Sequence, residues 1–289
     1  MTDASGHITW RELWAQTTDI LGDKVVARWL CETASGCDAG EFNTELSEMV
    51  SARSGIHLDG MVRRVLDGEP VQYVMGRWGF RHLDLMVDSR VLIPRPETEL
   101  IVELVLAHLQ SRPAPYVIAD LGTGSGAIGL SLLHELSLGA AQVWMTDESP
   151  DAIDVARANA AGIGRPATGA RFVVGSWFDA LPVELRGACD VVVSNPPYIA
   201  ECDADVEQSV LVHEPHRALF SGVDGLNDIR TLADGVGDWL APGGMFIVEM
   251  GHTQAEPVRE IFEQASLCDV TTHDDLSGTP RFTSGHIAN

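Results

Sequence analysis

The sequence predicts an α/β fold with a mostly parallel sheet, preceded by a small helical region and a β-hairpin. After Pro115, short apolar segments alternate with amphipathic segments of helical length, which is typical of βαβ units. Residues 1–75 instead carry apolar residues at helical spacing between glycines. Residues 76–93 are rich in aromatic and β-branched residues, which favours a strand pair. We therefore divide the chain into a helical domain, 1–75, a hairpin linker, 76–94, and a main domain, 95–289.

The N-terminal region opens with a signal for the start of a helix. Thr9 and Glu12 form a capping box, S/T-x-x-E, ahead of apolar residues that lie on one helix face. The breaks between the helices that follow are glycines: Gly22, Gly36, Gly55 and Gly68. Beyond the hairpin, a helix is expected from Pro96 to Leu109, because proline suits a first helical turn and "ELIVELVLAHL" has a broad apolar face.

The strands of the main domain are expected at five apolar segments. These are "YVIADLG", "AQVWMTD", "ARFVVG", "CDVVVSN" and "GGMFIVEM". In an open parallel sheet, ligands bind outside the carboxyl ends of the strands. We therefore expect the functional residues directly after these segments.

Composition narrows the class of protein. The 289 residues carry 19 basic and 42 acidic side chains, a net charge of -23, which repels phosphate backbones and disfavours nucleic acid as a partner. The five cysteines lack C-x-x-C spacing, so neither a disulfide framework nor a zinc site is indicated. The N-terminal stretch has no signal-peptide pattern, and no apolar run reaches the ~18 residues of a membrane span. A soluble, cytoplasmic protein without membrane contact is expected.

A glycine-rich loop follows the first predicted strand of the sheet, in "DLGTGSGAIG". Gly122, Gly124 and Gly126 allow a tight turn and close approach of the backbone to a ligand, with helix amides free to face it. Gly122, Gly124 and Ala127 also satisfy the nicotinamide fingerprint G-x-G-x-x-A. The loop alone therefore leaves methyl transfer and hydride transfer both open.

Two further residues stand at strand ends. Asp147 follows the second strand, where an acidic side chain meets the two hydroxyls of a ribose. Ser149 and Pro150 already supply a cap and a first helical residue, so Asp147 is not needed for capping. Trp177 follows the third strand and offers an aromatic face to an adenine ring, with core packing as the competing interpretation.

The fourth strand ends in "SNPPY", a rigid loop. Pro196 and Pro197 fix φ, so the carbonyl groups of Asn195 and Pro196 are held in place. Two fixed acceptors hold the two hydrogens of a planar NH₂ group and favour the partly cationic nitrogen of a methyl-transfer transition state. Tyr198 is placed to pack on the planar group. A plain strand-to-loop turn is the alternative, but it does not explain the glycine loop and Asp147 at neighbouring strand ends.

Two other chemistries are disfavoured. A proline inside "HEPH" breaks the helix that a two-histidine zinc site usually needs, so no metal is expected there, and Glu214 is expected to brace the site loop. "GTGSG" is not the G-x-S-x-G elbow of a serine hydrolase.

With these residues assembled, the chain resembles class I S-adenosylmethionine-dependent methyltransferases, and more narrowly the protein-(glutamine-N5) methyltransferases that modify peptide chain release factors. The resemblance is carried by "GEPVQYVMG", "VLIPRPETE", "DLGTGSGAI", "SNPPYI", "EPHRAL", "DGL" and "PGG" with "VEMG". NPPY alone is shared with adenine and cytosine amino-methyltransferases of nucleic acid. "IPRPETE" and the helical region are more specific to the release-factor family.

The resemblance implies a Rossmann-like methyltransferase domain, S-adenosyl-L-methionine as methyl donor, and a release factor as substrate, whose Gly-Gly-Gln glutamine is methylated at N5. It implies that the helical domain helps to hold the release factor. Donor contacts are expected at Asp120, Gly122, Thr123, Gly124, Ser125, Gly126, Asp147, Trp177 and Asn195. Substrate contacts are expected at Asn195, Pro196, Pro197, Tyr198, Arg95 and Glu97. Catalysis is expected to depend on Asn195, Pro196 and Tyr198, in a monomer.

Two positions depart from the family pattern, and two alternative functions stay open. Ser176 stands where many relatives carry an acidic residue before the tryptophan, and His273 where lysine is frequent. A nucleic-acid amino-methyltransferase is the main alternative function, which the net acidity disfavours. A donor-binding module without catalysis is the other, which the intact NPPY disfavours. Arg95 and Glu97 are expected to line the substrate channel. The alternative is that they form a surface ion pair of little energy.

Overall fold

The computed structural model describes residues 8–203 and 206–288. Residues 1–7, part of the stretch without a signal-peptide pattern, lie outside the described residues. The chain divides into two compact units, Met1–Gly76 and Arg77–Asn289. The division of function among 1–75, 76–94 and 95–289 stays a prediction.

The first unit is helical. Its described helices are α1 (Trp10–Leu21), α2 (Lys24–Ser35), α3 (Ala39–Glu45), α4 (Ala52–Leu66) and α5 (Val71–Met75). The predicted capping box is present, because Thr9 Oγ1 accepts from the Glu12 amide at 3.3 Å and Glu12 Oε2 accepts from the Thr9 amide at 2.9 Å. Trp10 packs edge-on against Phe42, with ring centroids 5.7 Å apart. These rings and Leu30 belong to a core that this unit forms by itself.

The second unit begins with a β-hairpin, β1 (Arg77–Phe80) and β2 (Leu83–Met86). The sequence predicted strand character as far as residue 93, but residues 87–95 form a loop. At the hairpin turn, Arg81 has φ 51° and donates from Nε to Glu135 Oε1 at 2.5 Å and from its amide to Glu99 Oε1 at 2.8 Å. Both carboxylates lie on later helices, so the hairpin is anchored within its own unit.

A mostly parallel sheet forms the centre of the second unit. Its strands are β3 (Tyr116–Leu121), β4 (Ala141–Asp147), β5 (Ala170–Val174), β6 (Cys189–Ser194), β7 (Leu240–Glu249), β8 (Cys268–Asp274) and β9 (Pro280–His286). They lie in the order β5-β4-β3-β6-β7-β9-β8. The pairs formed by β3 to β7 are parallel, whereas β9 runs antiparallel to β7 and β8. The order reverses between β3 and β6, where Leu121 is in register with Ser194.

Helices cover both faces of this sheet. They are α6 (Glu99–Leu109), α7 (Ala127–Glu135), α8 (Pro150–Ile163), α9 (Gln208–His213), α10 (Asn227–Val236) and α11 (Ala255–Gln264). The helix predicted from Pro96 is a 3-10 turn, Pro96–Thr98, that continues into α6. One core includes Ile101, Leu130 and Val143, and the core on the other face includes Phe246 and Phe262. The α/β class with a helical N-terminal region is therefore confirmed.

A pair of histidines lies at the end of the sheet opposite the carboxyl ends of its parallel strands. His108 on α6 and His286 on β9 have ring centroids 5.2 Å apart. Within the described part of the chain, His108 Nε2 and His286 Nδ1 are buried without a hydrogen-bond partner. Burial lowers the pKa of His108 to about 4, and the charges of His286 and Arg112 act in the same direction. Burial also lowers the pKa of His286. In the folded protein both shifts favour the neutral form of the imidazole ring.

We expect this pair to make stability depend on pH. Unfolded imidazoles have a pKa of about 6.5, so the unfolded chain takes up protons first as the pH falls. The stability is therefore complete above that pH and declines toward the folded pKa. The free energy of unfolding should fall by about 1 kcal/mol through His108 between pH 7 and pH 5, after allowance for its partial exposure.

Urea denaturation at the two pH values measures this change. His108→Gln should flatten the decline, whereas His57→Gln, at an exposed position on α4, should leave it as it is. An unchanged decline in His108→Gln would contradict the assignment.

Candidate active site

The glycine loop joins β3 to α7 at the point where the strand order reverses. Gly122, Gly124 and Gly126 have φ of 72°, 55° and 86°, the left-handed region that side chains with a Cβ rarely adopt. A Cβ at Gly122 would lie 3.2 Å from the ring of Trp177. Glycine is therefore required at this turn both by backbone conformation and by the approach of the tryptophan.

Asp120 lies beneath the loop. Its Oδ2 accepts from the Thr123 hydroxyl at 2.6 Å and from the Gly129 amide at 3.0 Å. Burial raises the pKa of Asp120 to about 6, and these two hydrogen bonds oppose the rise. Asp120 and Gly126 are not among the residues that line the cavity described next. The donor contacts expected at these two residues stay predictions.

Asp147 ends β4 beside the loop. Its two carboxylate oxygens accept from the amides of Gly124 and Ser149, each at 2.9 Å. Burial raises the pKa of Asp147, and the two amide contacts oppose that rise. The Gly124 amide is thereby engaged within the protein. Asp147 also lines the cavity described next, and each of its oxygens can accept a further hydrogen bond.

A cavity of about 480 Å³ opens above the loop. It is lined by most of the residues expected to contact the donor, namely Gly122, Thr123, Gly124, Ser125, Asp147, Trp177 and Asn195, and by Ser176. Its volume lies in the range of small-molecule sites. A carboxylate at a strand end, an aromatic ring packed on the loop and the start of α7 fit a ligand that carries a ribose and a planar base. The residues present therefore fit an adenosyl methyl donor.

Asn195 follows β6, the strand next to β3. Ser194 is buried, and its hydroxyl donates to the Leu121 carbonyl at 2.6 Å, which ties the two strand ends together. A second cavity, of about 310 Å³, is lined by Asn195, Tyr198 and Arg95. Asn195 lines both cavities and so stands where they meet. Pro197 lines the first cavity, whereas Pro196 is buried and lies outside both walls.

The side chain of Asn195 is held by a chain of hydrogen bonds that the sequence did not reveal. Its Nδ2 donates to Thr98 Oγ1 at 3.4 Å, and the Thr98 hydroxyl donates to Glu249 Oε2 at 2.5 Å. The Tyr198 hydroxyl donates to Glu249 Oε1 at 3.2 Å. Thr98 is 3% and Glu249 1% exposed. The available signal was a carboxylate at the end of the apolar strand segment "GGMFIVEM".

Arg95 is also held from behind. Its Nη2 donates to Glu214 Oε1 at 2.5 Å, and the Ile93 amide donates to Glu214 Oε2 at 3.2 Å. Glu214 is buried, and through these two contacts it braces the loop of residues 87–95. Glu97 is exposed and outside both cavity walls, so the substrate contact expected there is not supported by its position.

Asn159 on α8 is a residue that sequence reasoning missed. Its Oδ1 accepts from the Met86 amide at 2.7 Å, while its Nδ2 donates to the Met86 carbonyl at 3.1 Å and to the Ser125 carbonyl at 2.8 Å. One buried amide thereby joins the hairpin to the glycine loop. Nothing in the local pattern distinguishes it from an ordinary helical asparagine.

Replacing Asn159 with alanine should destabilise the protein by about 2 kcal/mol, because buried backbone groups of Met86 and Ser125 lose their partners. Donor affinity should also fall several-fold, since the loop loses its support. Chemical denaturation and calorimetry measure the two effects. Gln142→Ala, which removes an exposed amide from β4, is the control. A stability equal to that of the control would refute this role.

The fold and the site together define an S-adenosyl-L-methionine-dependent methyltransferase. The glycine loop and Asp147 lie at the ends of parallel strands on one side of the point where the strand order reverses, and Asn195 lies on the other. A family model described as "Methyltransferase small domain" matches residues 99–222, and one described as "PrmC N-terminal domain" matches residues 13–76.

The curated relatives identify the family. The chain is 42% identical to a release factor glutamine methyltransferase of Bordetella pertussis, over 93% of this chain and 98% of that protein. It is 40% identical to the enzyme of the same name from Xylella fastidiosa, over 91% and 93% of the two chains. The chain belongs to the release factor glutamine methyltransferase family, as its motifs predicted.

A solved structure supports the fold. A methyltransferase from Pyrococcus furiosus superposes with a TM-score of 0.52 at 18% identity, over 80% of this chain and all of that one. Among the described helices, none has the length and apolar character needed to traverse a bilayer.

Proposed function

We propose that this chain transfers a methyl group from S-adenosyl-L-methionine to the side-chain amide nitrogen, N5, of the glutamine in the Gly-Gly-Gln motif of a peptide chain release factor. The observation that carries the proposal is the position of Asn195, where the donor cavity meets a second cavity. Family relatives are named release factor glutamine methyltransferases.

The chemical problem is a weak nucleophile, because the lone pair of an amide nitrogen is delocalised into its carbonyl. Asn195 Oδ1, where the two cavities meet, accepts one hydrogen of the glutamine NH₂ and orients its nitrogen toward the donor cavity. The main-chain carbonyl of Pro196, which lies outside the walls of both cavities in this structure, is assigned the second hydrogen by the NPPY motif alone. Such acceptors bind the transition state, with its partly positive nitrogen, more strongly than the neutral amide. Bound S-adenosyl-L-methionine supplies an electrophilic methyl group on a sulfonium.

The reaction needs no strong base before transfer. As the carbon–nitrogen bond forms, the carbon–sulfur bond of the sulfonium would break, and its electron pair would stay on the sulfur of a neutral thioether. The amide nitrogen becomes positively charged and its proton becomes acidic, so that proton leaves to solvent once the methyl is in place. Tyr198 packs beside the planar amide in the second cavity. Its pKa is raised, first by burial and then by Glu249, so the phenol stays protonated and acts through packing and hydrogen bonding.

The donor is held by residues of the first cavity. Asp147 would accept hydrogen bonds from the ribose hydroxyls, Trp177 would lie against the adenine, and Gly122 to Ser125 would form the floor of the donor site. Asp120 supports that floor from below through Thr123.

The partner assignments belong to the same proposal. The helical domain, residues 1–75, holds the release factor, and the enzyme works as a cytoplasmic monomer. The net charge of -23 supports a protein substrate over a nucleic acid. Methylation of an adenine or cytosine amine is therefore not favoured.

The test is incubation of the enzyme with isotopically labelled donor and a purified release factor, followed by peptide mass spectrometry. We expect one added methyl on the glutamine of the Gly-Gly-Gln peptide. A release factor with glutamate at that position is the control and should remain unlabelled. Label in added DNA or RNA, or no label in the release factor, would overturn the proposal.

A further inference from the structure

A hydrogen-bond chain with a fixed direction ends on Asn195. Glu249 is a carboxylate, which accepts hydrogen bonds and donates none when ionised. It accepts from Tyr198 on one oxygen and from Thr98 on the other. The single hydroxyl proton of Thr98 is therefore committed to Glu249, and Thr98 Oγ1 is left as an acceptor for Asn195 Nδ2.

The direction of this chain decides the orientation of the Asn195 amide. With Nδ2 drawn to Thr98, Oδ1 is left for the other side, where it accepts from an NH₂ group. The reversed amide would set its own NH₂ against the NH₂ of the substrate, which places donor against donor. A side chain with two nearly isosteric orientations is thereby given one that is productive.

We propose that Glu249 is a positioning residue, which acts through Thr98 to present Asn195 Oδ1 to the amide nitrogen that is methylated. The inference rests on the proposed function, because it assigns the orientation of the acceptor used there. Glu249 does not touch the reacting atoms.

The charges around Glu249 allow this device to respond to pH. Tyr198 faces it from the loop after β6, Arg281 from β9 and Glu97 from the turn before α6. Burial raises the pKa of Glu249 to about 7, opposed by hydrogen bonds from Thr98 and Tyr198 and by the charge of Arg281, and assisted by Glu97.

A protonated Glu249 becomes a donor to Thr98, whose own proton then turns toward Asn195 Oδ1. The productive form is therefore the ionised one. Turnover should rise with pH through about 7 and level off above it.

Glu249→Gln tests the inference. Glutamine offers one acceptor and one donor, so the direction of the chain is no longer fixed. We expect kcat to fall about tenfold and its rise through pH 7 to disappear, while calorimetry gives an unchanged affinity for the donor. An enzyme that keeps both the parent turnover and the parent pH profile would overturn the inference.

Thr98 gives a second test if Glu249→Gln fails to fold. Thr98→Val removes the hydroxyl that links Asn195 to Glu249 and should lower kcat as Glu249→Gln does. Thr98→Ser keeps a hydroxyl at this position and should retain most of the turnover. Equal rates for the valine and serine variants would overturn the inference.

A matched control is Asp190→Asn, which alters a half-buried carboxylate bound to Arg112 at the other end of the sheet. It should lower stability without moving the pH profile of kcat.

A ¹³C NMR titration of the Glu249 carboxyl supplies a readout independent of activity, and its midpoint should coincide with the rise in turnover. A midpoint far from that rise would contradict the assignment. Failure of the parent enzyme to methylate a release factor would instead count against the proposed function.

Discussion

Asn195→Ala should lower turnover by about 10²- to 10³-fold, the loss typical of removing one oriented contact to a transition state. The alanine removes Oδ1, the acceptor at the junction of the two cavities, and leaves the substrate NH₂ with only the main-chain carbonyl. Thr98 also loses its partner, but Ser194 still ties the strand end to β3. The measurement is single-turnover methylation of a release factor at saturating donor.

The donor affinity of Asn195→Ala, measured by calorimetry, should change by less than a few-fold, because the ribose and base contacts lie elsewhere in the cavity. Gln142→Ala is the control, since it removes an exposed side-chain amide from β4, outside the helical domain and both cavity walls. Turnover within a few-fold of the parent would exclude Asn195 from the chemistry.

Asp147→Ala should weaken donor binding by about 10- to 100-fold, because a hydrogen bond to a charged group contributes about 1.5 to 3 kcal/mol. Two effects combine here. The carboxylate is lost as an acceptor for the ribose, and the amides of Gly124 and Ser149 lose the partner that holds the loop beside it. Turnover at saturating donor should change much less than affinity.

Calorimetric titration with the donor, or with its demethylated product, measures the change. Asp151→Ala removes an acidic side chain from the exposed first turn of α8, the helix that follows Asp147, so it controls for the loss of a nearby charge. A dissociation constant for Asp147→Ala equal to that of the control would remove Asp147 from the donor site.

The sequence was informative wherever a feature is local. Apolar segments that alternate with helical ones predicted the parallel sheet, and the left-handed glycines after β3 could be recognised from spacing alone. Asp147 could also be identified from the sequence, since Ser149 and Pro150 already cap the next helix. Each of these signals lies within a few residues of the feature it predicts.

Features built from residues far apart in the chain could not be predicted from the sequence. Thr98 and Glu249 are 151 positions apart, and Asn159 lies 73 positions from Met86. No periodicity or spacing links residues across such separations. Asp120 is a further case, because the family resemblance implied a donor contact there, whereas its hydrogen bonds through Oδ2 to Thr123 and Gly129 within the loop could not be foreseen.

The register between β3 and β6 has a consequence for how this scaffold can diversify. Leu121 and Ser194 are neighbours across a sheet whose strands lie about 4.8 Å apart. The distance between the glycine loop, which follows Leu121, and Asn195, which follows Ser194, is therefore set by the backbone hydrogen bonds of the sheet. Loops after residue 198 can change, and so admit a different methyl acceptor, without altering the distance over which the methyl group is transferred. A new substrate specificity on this fold therefore requires different residues around the acceptor but no change in that distance.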